Sequence, residues 1–201
     1  MLLGPHNCQG HVKIWNPDSG EVFVDKKNAI HYENMSVAMA QSLANRTTGF
    51  IQSMAFGNGA SAVDPTGVIT YLPPNTTGSG SDLYNETYIK VVNDLSNLND
   101  NPLRNKMEIR HVSGSVYSDI LITCLLDYGE PGAQAAFDNT TDFNSDYVFD
   151  ELGLKSYEGE DITPKLLTHV VFHPVQKSLN RLIQIDYTIR IQSLSTFTEP
   201  T

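Results

Sequence analysis

The sequence predicts a mainly β protein: an antiparallel β-sandwich, jelly-roll-like, with an N-terminal hairpin and one amphipathic helix. Three observations predict this fold class. The 201-residue chain has only 18% charged residues, and Asn, Ser and Thr fill the difference, a composition suited to a β-rich surface with many turns. From Ile183 to Ile191, apolar and polar residues alternate strictly, as in a strand with one buried face. Several further strand-like runs, separated by turn-rich loops, are typical of a sandwich.

The predicted hairpin and helix occupy residues 1–49. Residues 11–15 and 21–24 flank a turn that contains Pro17 and Gly20, which favour the backbone angles of a tight connection. A helix is then predicted for residues 28–45, because Met35, Met39 and Leu43 recur at four-residue spacing. A single apolar stripe of this kind must be covered by a sheet of the same chain or by a neighbouring subunit. We therefore expect residues 1–49 to act as an assembly arm.

Residues 50–201 are predicted to form the β-sandwich domain. A strand at residues 50–56 is followed by a long Gly/Pro-rich loop at residues 57–82, with one extended piece at 68–72. Loops of this length are usually functional or disordered, and we expect this one to become ordered on a neighbouring subunit. The other predicted strands cover residues 108–112, 115–127, 147–154, 166–172 (ended by His173 and Pro174) and 183–191, with a polar loop at 138–146.

Charge and composition exclude several classes of protein. The net charge is −10 and the longest basic run is Lys26-Lys27, so we expect no nucleic-acid partner. No apolar stretch has the roughly 18 residues of a membrane span, and residues 1–5 do not resemble a signal peptide. We therefore expect a protein made and soluble in a cytoplasm. Cys8 and Cys124 are predicted to be buried free thiols.

Two groups of residues contain histidines that could bind a metal. His6, Cys8 and His11 are all potential zinc ligands, but their spacing matches no closed structural site. His169 and His173 lie on one strand face about 13 Å apart, too far to share a metal without a bend. We expect no metal or cofactor.

Acidic residues are frequent in the second half of the chain. Loop carboxylates can hold calcium, but the spacing at residues 138–142 does not fit a calcium loop, and paired carboxylates can act in glycosidases, but nothing in the sequence fixes a substrate cleft. We expect these residues to be solvated and the protein not to be an enzyme. The acidic residues concerned are Asp138, Asp142, Asp146, Asp150, Glu151, Glu158, Glu160 and Asp161.

Three segments of the final third form a recognisable series: residues 149–154, residues 166–175 with the sequence Phe172-His173-Pro174, and the alternating strand 182–191. This series resembles the attachment domains of tailed-bacteriophage tail-fibre, baseplate and collar proteins. Upstream, residues 54–59 and the helix-like segment 82–86 are similar to the early part of those domains. The resemblance covers about residues 50–192 and implies a β-sandwich that mounts onto a virion, with no catalytic residue.

The resemblance implies a homo-oligomeric ring or adaptor, such as a collar, neck or fibre-docking protein, that contacts itself and other virion proteins. The repetitive shaft of a tail fibre is missing, which argues against receptor binding. A baseplate- or tail-fibre-associated carbohydrate-binding module and a small hydrolase on a jelly-roll scaffold are the alternatives. Candidate assembly-interface residues are Trp15, Met35, Met39, Leu43, Tyr71, Pro73 and Tyr84.

Overall fold

A computed structural model describes residues 6–131, 146–178 and 180–193. It contains one helix, α1 (Tyr32–Leu43), among the described residues. The strands are β1 (His6–Trp15), β2 (Val22–Ile30), β3 (Ile51–Gly57), β4 (Ser61–Val63), β5 (Ile69–Tyr71), β6 (Glu86–Val91), β7 (Lys106–His111), β8 (Tyr117–Leu126), β9 (Asp146–Ser156), β10 (Thr168–Ser178) and β11 (Ile183–Ser193).

Nine strands form one curled antiparallel sheet in the order β6-β3-β9-β10-β2-β1-β11-β8-β7. Only two residue pairs, Thr168–Ile30 and His169–Ala29, join β10 to β2. The four strands on one side of this junction and the five on the other therefore form two layers. Buried side chains from both layers belong to one apolar core, including Phe56 and Phe149 from one and Ile185 from the other. The predicted mainly β, antiparallel sandwich-like fold is confirmed.

The N-terminal hairpin lies in the middle of the sheet. β1 pairs with β11 along its whole length, from His6–Ser193 to Trp15–Gln184, and pairs with β2 on its other edge. The hairpin predicted from the turn at residues 16–20 is present, but it is part of the sandwich. The described residues 6–49 are therefore not a separate arm, because the five-stranded layer would lose two strands without them.

Helix α1 begins at Tyr32, four residues later than predicted, because residues 28–30 belong to β2. His31 caps the helix: its Nδ1 accepts a hydrogen bond from the Asn34 backbone N–H at 3.2 Å. Met35 is buried in the core and Met39 packs against it, whereas Leu43 is 85% exposed. The apolar stripe of α1 thus packs on the sandwich only along the first turns of the helix.

Two strands show opposite outcomes for the sequence predictions. β11 is confirmed, with Ile183, Ile185, Tyr187 and Ile189 buried and the polar residues between them on the other face. β10 was predicted to end at His173-Pro174 but continues to Ser178. The pairing register with β9 shifts between Val171 and Val175, and such a bulge accommodates a proline that cannot donate to the ladder.

Two other predictions concern residues 82–86 and residues 138–146. Residues 82–86 were expected to be helix-like, but the segment is irregular and leads into β6 at Glu86. The polar loop predicted at residues 138–146 lies outside the described residues, apart from Asp146 at the start of β9.

Candidate functional site

The long loop, residues 58–85, leaves β3 and returns to β6, and a buried carboxylate on β9 joins its two ends. Glu151 Oε1 accepts hydrogen bonds from the backbone N–H of Gly59 at 3.2 Å and of Asn85 at 2.9 Å. Its Oε2 accepts from the N–H of Tyr84 at 3.0 Å and from His169 Nε2 at 2.9 Å. Burial of Glu151 opposes ionisation, but these four donors outweigh it and lower the pKa of the carboxyl group.

His169 extends this anchor to the middle of the long loop. Its Nδ1 accepts a hydrogen bond from the Asn75 backbone N–H at 2.8 Å, while its Nε2 faces Glu151. Glu151 and His169 are both completely buried. Every polar atom of the pair already has an internal partner, so this carboxylate–imidazole pair holds the loop and presents no reactive atom to solvent.

Further contacts fasten the long loop to its own chain. Asp150 accepts hydrogen bonds from the N–H of Ala60 at 3.1 Å and of Ser61 at 2.8 Å, and from the Ser61 hydroxyl. The buried Lys155 pairs with Asp82 at 2.8 Å. The loop was expected to become ordered on a neighbour, but it is docked on its own sheet. The expectation that Asp150 and Glu151 are solvated is wrong, because both carboxylates are buried anchors.

A surface pocket of about 450 Å³ lies between the long loop, β2 and β10. It is lined by Tyr71, Lys26, Lys27 and His173, among others, and the Tyr71 hydroxyl lies 3.1 Å from His173 Nδ1. The hydroxyl of Tyr84 donates to the carbonyl of Pro73 at 2.6 Å. The structure therefore brings three predicted interface residues, Tyr71, Pro73 and Tyr84, onto one exposed loop.

The other predicted interface residues do not join this surface. Trp15 is half-buried and donates from Nε1 to Asp186 at 2.8 Å. Met35 is buried in the core and so offers no surface to a partner, whereas Met39 is partly buried against that core and its contact role stays a prediction. Leu43 is exposed, at the end of α1.

Sequence reasoning missed a second surface, the leucine loop of residues 92–105 between β6 and β7. Leu95, Leu98 and Leu103 are 91%, 71% and 84% exposed. Single exposed leucines are common, but three on one loop make this loop a candidate interaction surface. The signal in the sequence was the recurrence of leucine in a stretch otherwise rich in Asn and Asp.

Buried amide side chains hold the leucine loop in one conformation. Asn99 Nδ2 donates to the carbonyls of Asn93 at 3.1 Å and Asn105 at 2.8 Å. Asn93 Nδ2 donates to Gln52 Oε1 at 3.1 Å, and Asn105 Oδ1 accepts from the Leu125 N–H at 2.9 Å. The loop is thus attached to both layers of the sandwich, and its leucines project from a fixed backbone.

The candidate metal ligands do not come together. Cys8 is buried, and His11 is exposed with its Nε2 2.9 Å from Asp25. The side chain of His6 lies outside the described residues. Within residues 6–131, 146–178 and 180–193, no group of three or more His, Cys, Asp or Glu residues could hold a metal ion. Helix α1, the one helix of these ranges, falls well short of the length and apolarity needed to cross a bilayer.

Comparison of the chain with protein-family models, with curated proteins and with solved structures found no match.

Proposed function

We propose that the protein is a non-enzymatic structural component of a phage tail or neck, which forms a ring or adaptor through protein–protein contacts. The observation that carries the proposal is the leucine loop, three exposed leucines on a backbone fixed by buried amides. The resemblance of residues 50–192 to virion attachment domains supports the phage setting. In this proposal the partners are further copies of the chain and other virion proteins, and the protein resides in the virion.

The energetics of the leucine loop favour protein–protein contact. Full burial of one leucine side chain stabilises a contact by about 1.5–3 kcal/mol before the cost of association is subtracted. Because the amide network already orders this backbone, little loop entropy is lost when a partner binds. The net charge of −10 supports partners other than nucleic acid or anionic membrane surfaces.

The test is the triple variant Leu95→Ser, Leu98→Ser, Leu103→Ser. We expect it to fold with an unchanged unfolding temperature, because these side chains are exposed, yet to lose incorporation into phage particles by at least about tenfold. Particle content is measured by mass spectrometry of purified virions, and oligomeric state by light scattering.

A matched control replaces three exposed apolar residues elsewhere, Val63, Val68 and Ile162, by serine. This control should enter particles normally. A wild-type protein that is absent from particles would contradict the proposal, as would equal incorporation of the leucine variant and the control.

A carbohydrate-binding module is the second candidate, and the pocket beside Tyr71 is the observation that favours it. An aromatic ring beside the polar side chains of Lys26, Lys27 and His173 can stack on a sugar while those groups bind hydroxyls. If so, glycan-array binding should be lost in Tyr71→Ala and kept in Tyr128→Ala, which removes another exposed tyrosine. No glycan binding by the wild-type protein would exclude it.

A further inference from the structure

Strand β7 lies at the end of the nine-stranded sheet, and no described strand pairs with its outer edge. Ile109, at its centre, is 80% exposed. Glu108 and Arg110 flank it, and their side chains are 44% and 69% exposed. An unpaired edge with an exposed apolar residue is a template for another strand unless it is protected.

The main-chain groups of β7 that face outward can be identified. The N–H of Met107 donates to Asp94 Oδ1 at 3.2 Å, on the side away from β8. Because N–H and C=O groups alternate sides along a strand, those of Ile109 and His111 also face outward. Both main-chain groups of Ile109 are therefore positioned to pair with an added strand.

We propose that β7 pairs with β7 of a second copy of this chain, antiparallel, about a two-fold axis that passes through Ile109. The contact requires self-association, which is the part of the proposed function on which it rests. In this register Ile109 lies opposite Ile109, and Glu108 of each copy lies opposite Arg110 of the other. Opposite charges and apolar pairs directly across an antiparallel ladder are the combinations that stabilise it.

The other registers are less favourable. Outward-facing residues must pair with outward-facing residues, so the axis must pass through a residue and not between two. An axis through Glu108 or Arg110 places identical charges opposite each other. An axis through Met107 places the Met107 N–H, which Asp94 already occupies, in the central pair. About Ile109 the same N–H falls only in the two flanking Met107–His111 pairs, and the central Ile109 pair stays open. Only the axis through Ile109 gives both an open main-chain pair and complementary charges.

The pairing makes one continuous sheet from the five-stranded layers of two copies. A two-fold contact of this kind is self-complementary and stops at a dimer. A ring built from such dimers needs a second, different contact, for which the leucine loop is available. The two surfaces can therefore be tested separately.

Charge reversal in the full chain tests the pairing, with the dimer dissociation constant measured by analytical ultracentrifugation. Glu108→Arg alone and Arg110→Glu alone each place like charges opposite each other, and each should weaken the dimer at least tenfold, with the fold confirmed by circular dichroism. The double variant Glu108→Arg, Arg110→Glu places opposite charges across the contact again and should restore the dimer affinity. An equimolar mixture of the two single variants should form the mixed dimer, because each supplies the charges that the other lacks.

Lys106→Gln is the control for register, because Lys106 contacts Glu108 of its own copy at 2.7 Å and an acidic side chain there would repel Glu108 in either register. Lys106 lies opposite Val112 in the proposed register and opposite Glu108 in the register about Met107, so a weakened dimer in this variant would overturn the proposed axis. A monomeric wild-type protein, or single reversals that leave the dimer unchanged, would overturn the pairing itself. Particle incorporation is measured independently of the dimer. If the protein forms a charge-dependent dimer but is absent from virions, only the phage proposal is contradicted. If it enters virions without forming the dimer, only the β7 pairing is contradicted.

Discussion

At the level of single residues, Glu151 holds the long loop on the sheet through four hydrogen bonds. One carboxylate joins the two ends of the long loop and, through His169, its middle. A buried charge is tolerated here because four donors satisfy its lone pairs. Removing the charge should therefore disturb the loop and the sheet together.

We expect Glu151→Gln to lower the free energy of unfolding by about 2–4 kcal/mol, because an amide has one acceptor oxygen and places an NH₂ group against buried donors. Urea denaturation measures the change. Glu160→Gln, at an exposed carboxylate, is the matched control and should change the free energy by less than about 0.5 kcal/mol. Equal stability of the two variants would show that the anchor contributes little.

The pH dependence of this effect has a defined sign. The pKa of Glu151 is lowered in the folded protein, so its contribution is present above the unfolded value of about 4.3 and is lost as the pH falls through the folded pKa. Burial raises the pKa of the neighbouring Asp150, whose contribution has the opposite sign. The stability difference between wild type and Glu151→Gln should therefore shrink below about pH 4.

At the level of elements, the leucine loop depends on Asn99 for its conformation. The side chain of Asn99 is buried and bridges the carbonyls of Asn93 and Asn105 across the loop. Without this bridge each of the two carbonyls loses one donor, and the backbone that carries the leucines is less constrained.

We expect Asn99→Ala to reduce the free energy of unfolding by about 1–3 kcal/mol and to speed hydrogen exchange of the amides in residues 93–106. Asn101→Ala, in the same loop, is the control, since the described contacts of Asn101 are made by its main chain. Faster exchange spread evenly over the whole sheet would instead indicate general destabilisation.

The elements that the sequence predicted well are those set by local pattern. β11 follows from strict alternation, and the hairpin follows from its turn residues, because one buried face and one tight turn leave a direct mark on the sequence. The end of β10 was misjudged because the bulge that accommodates Pro174 depends on β9. The anchors of the long loop were missed because Asp150 and Glu151 act on residues some 66 to 92 positions away.

At the level of the whole molecule, both cysteines are enclosed by the sandwich. Burial raises the pKa of Cys8 to about 11 and that of Cys124 to about 12. Very little thiolate is therefore present near neutral pH, and the sulfur atoms are shielded from reagents.

We expect native protein at pH 8 to react with a thiol reagent at least about a hundredfold more slowly than the protein in denaturant, because reaction requires opening of the sheet. The variant Ser19→Cys, in the exposed turn between β1 and β2, should carry one fast-reacting thiol under the same native conditions. Rapid native labelling of Cys124 would contradict the closed packing of the two layers.

The pairing of β1 with β11 also bears on how the polypeptide folds during synthesis. β1 lies between β2 and β11, and its ladder with β11 joins residues 6–15 to residues 184–193. Contacts between such distant segments form slowly, because a large loop must close first. A nascent chain can form the β1–β2 hairpin early, but the edge of β1 stays unpaired until residue 193 has left the ribosome. The five-stranded layer therefore forms after translation of β11, and during that interval β1 is a surface that chaperones can protect.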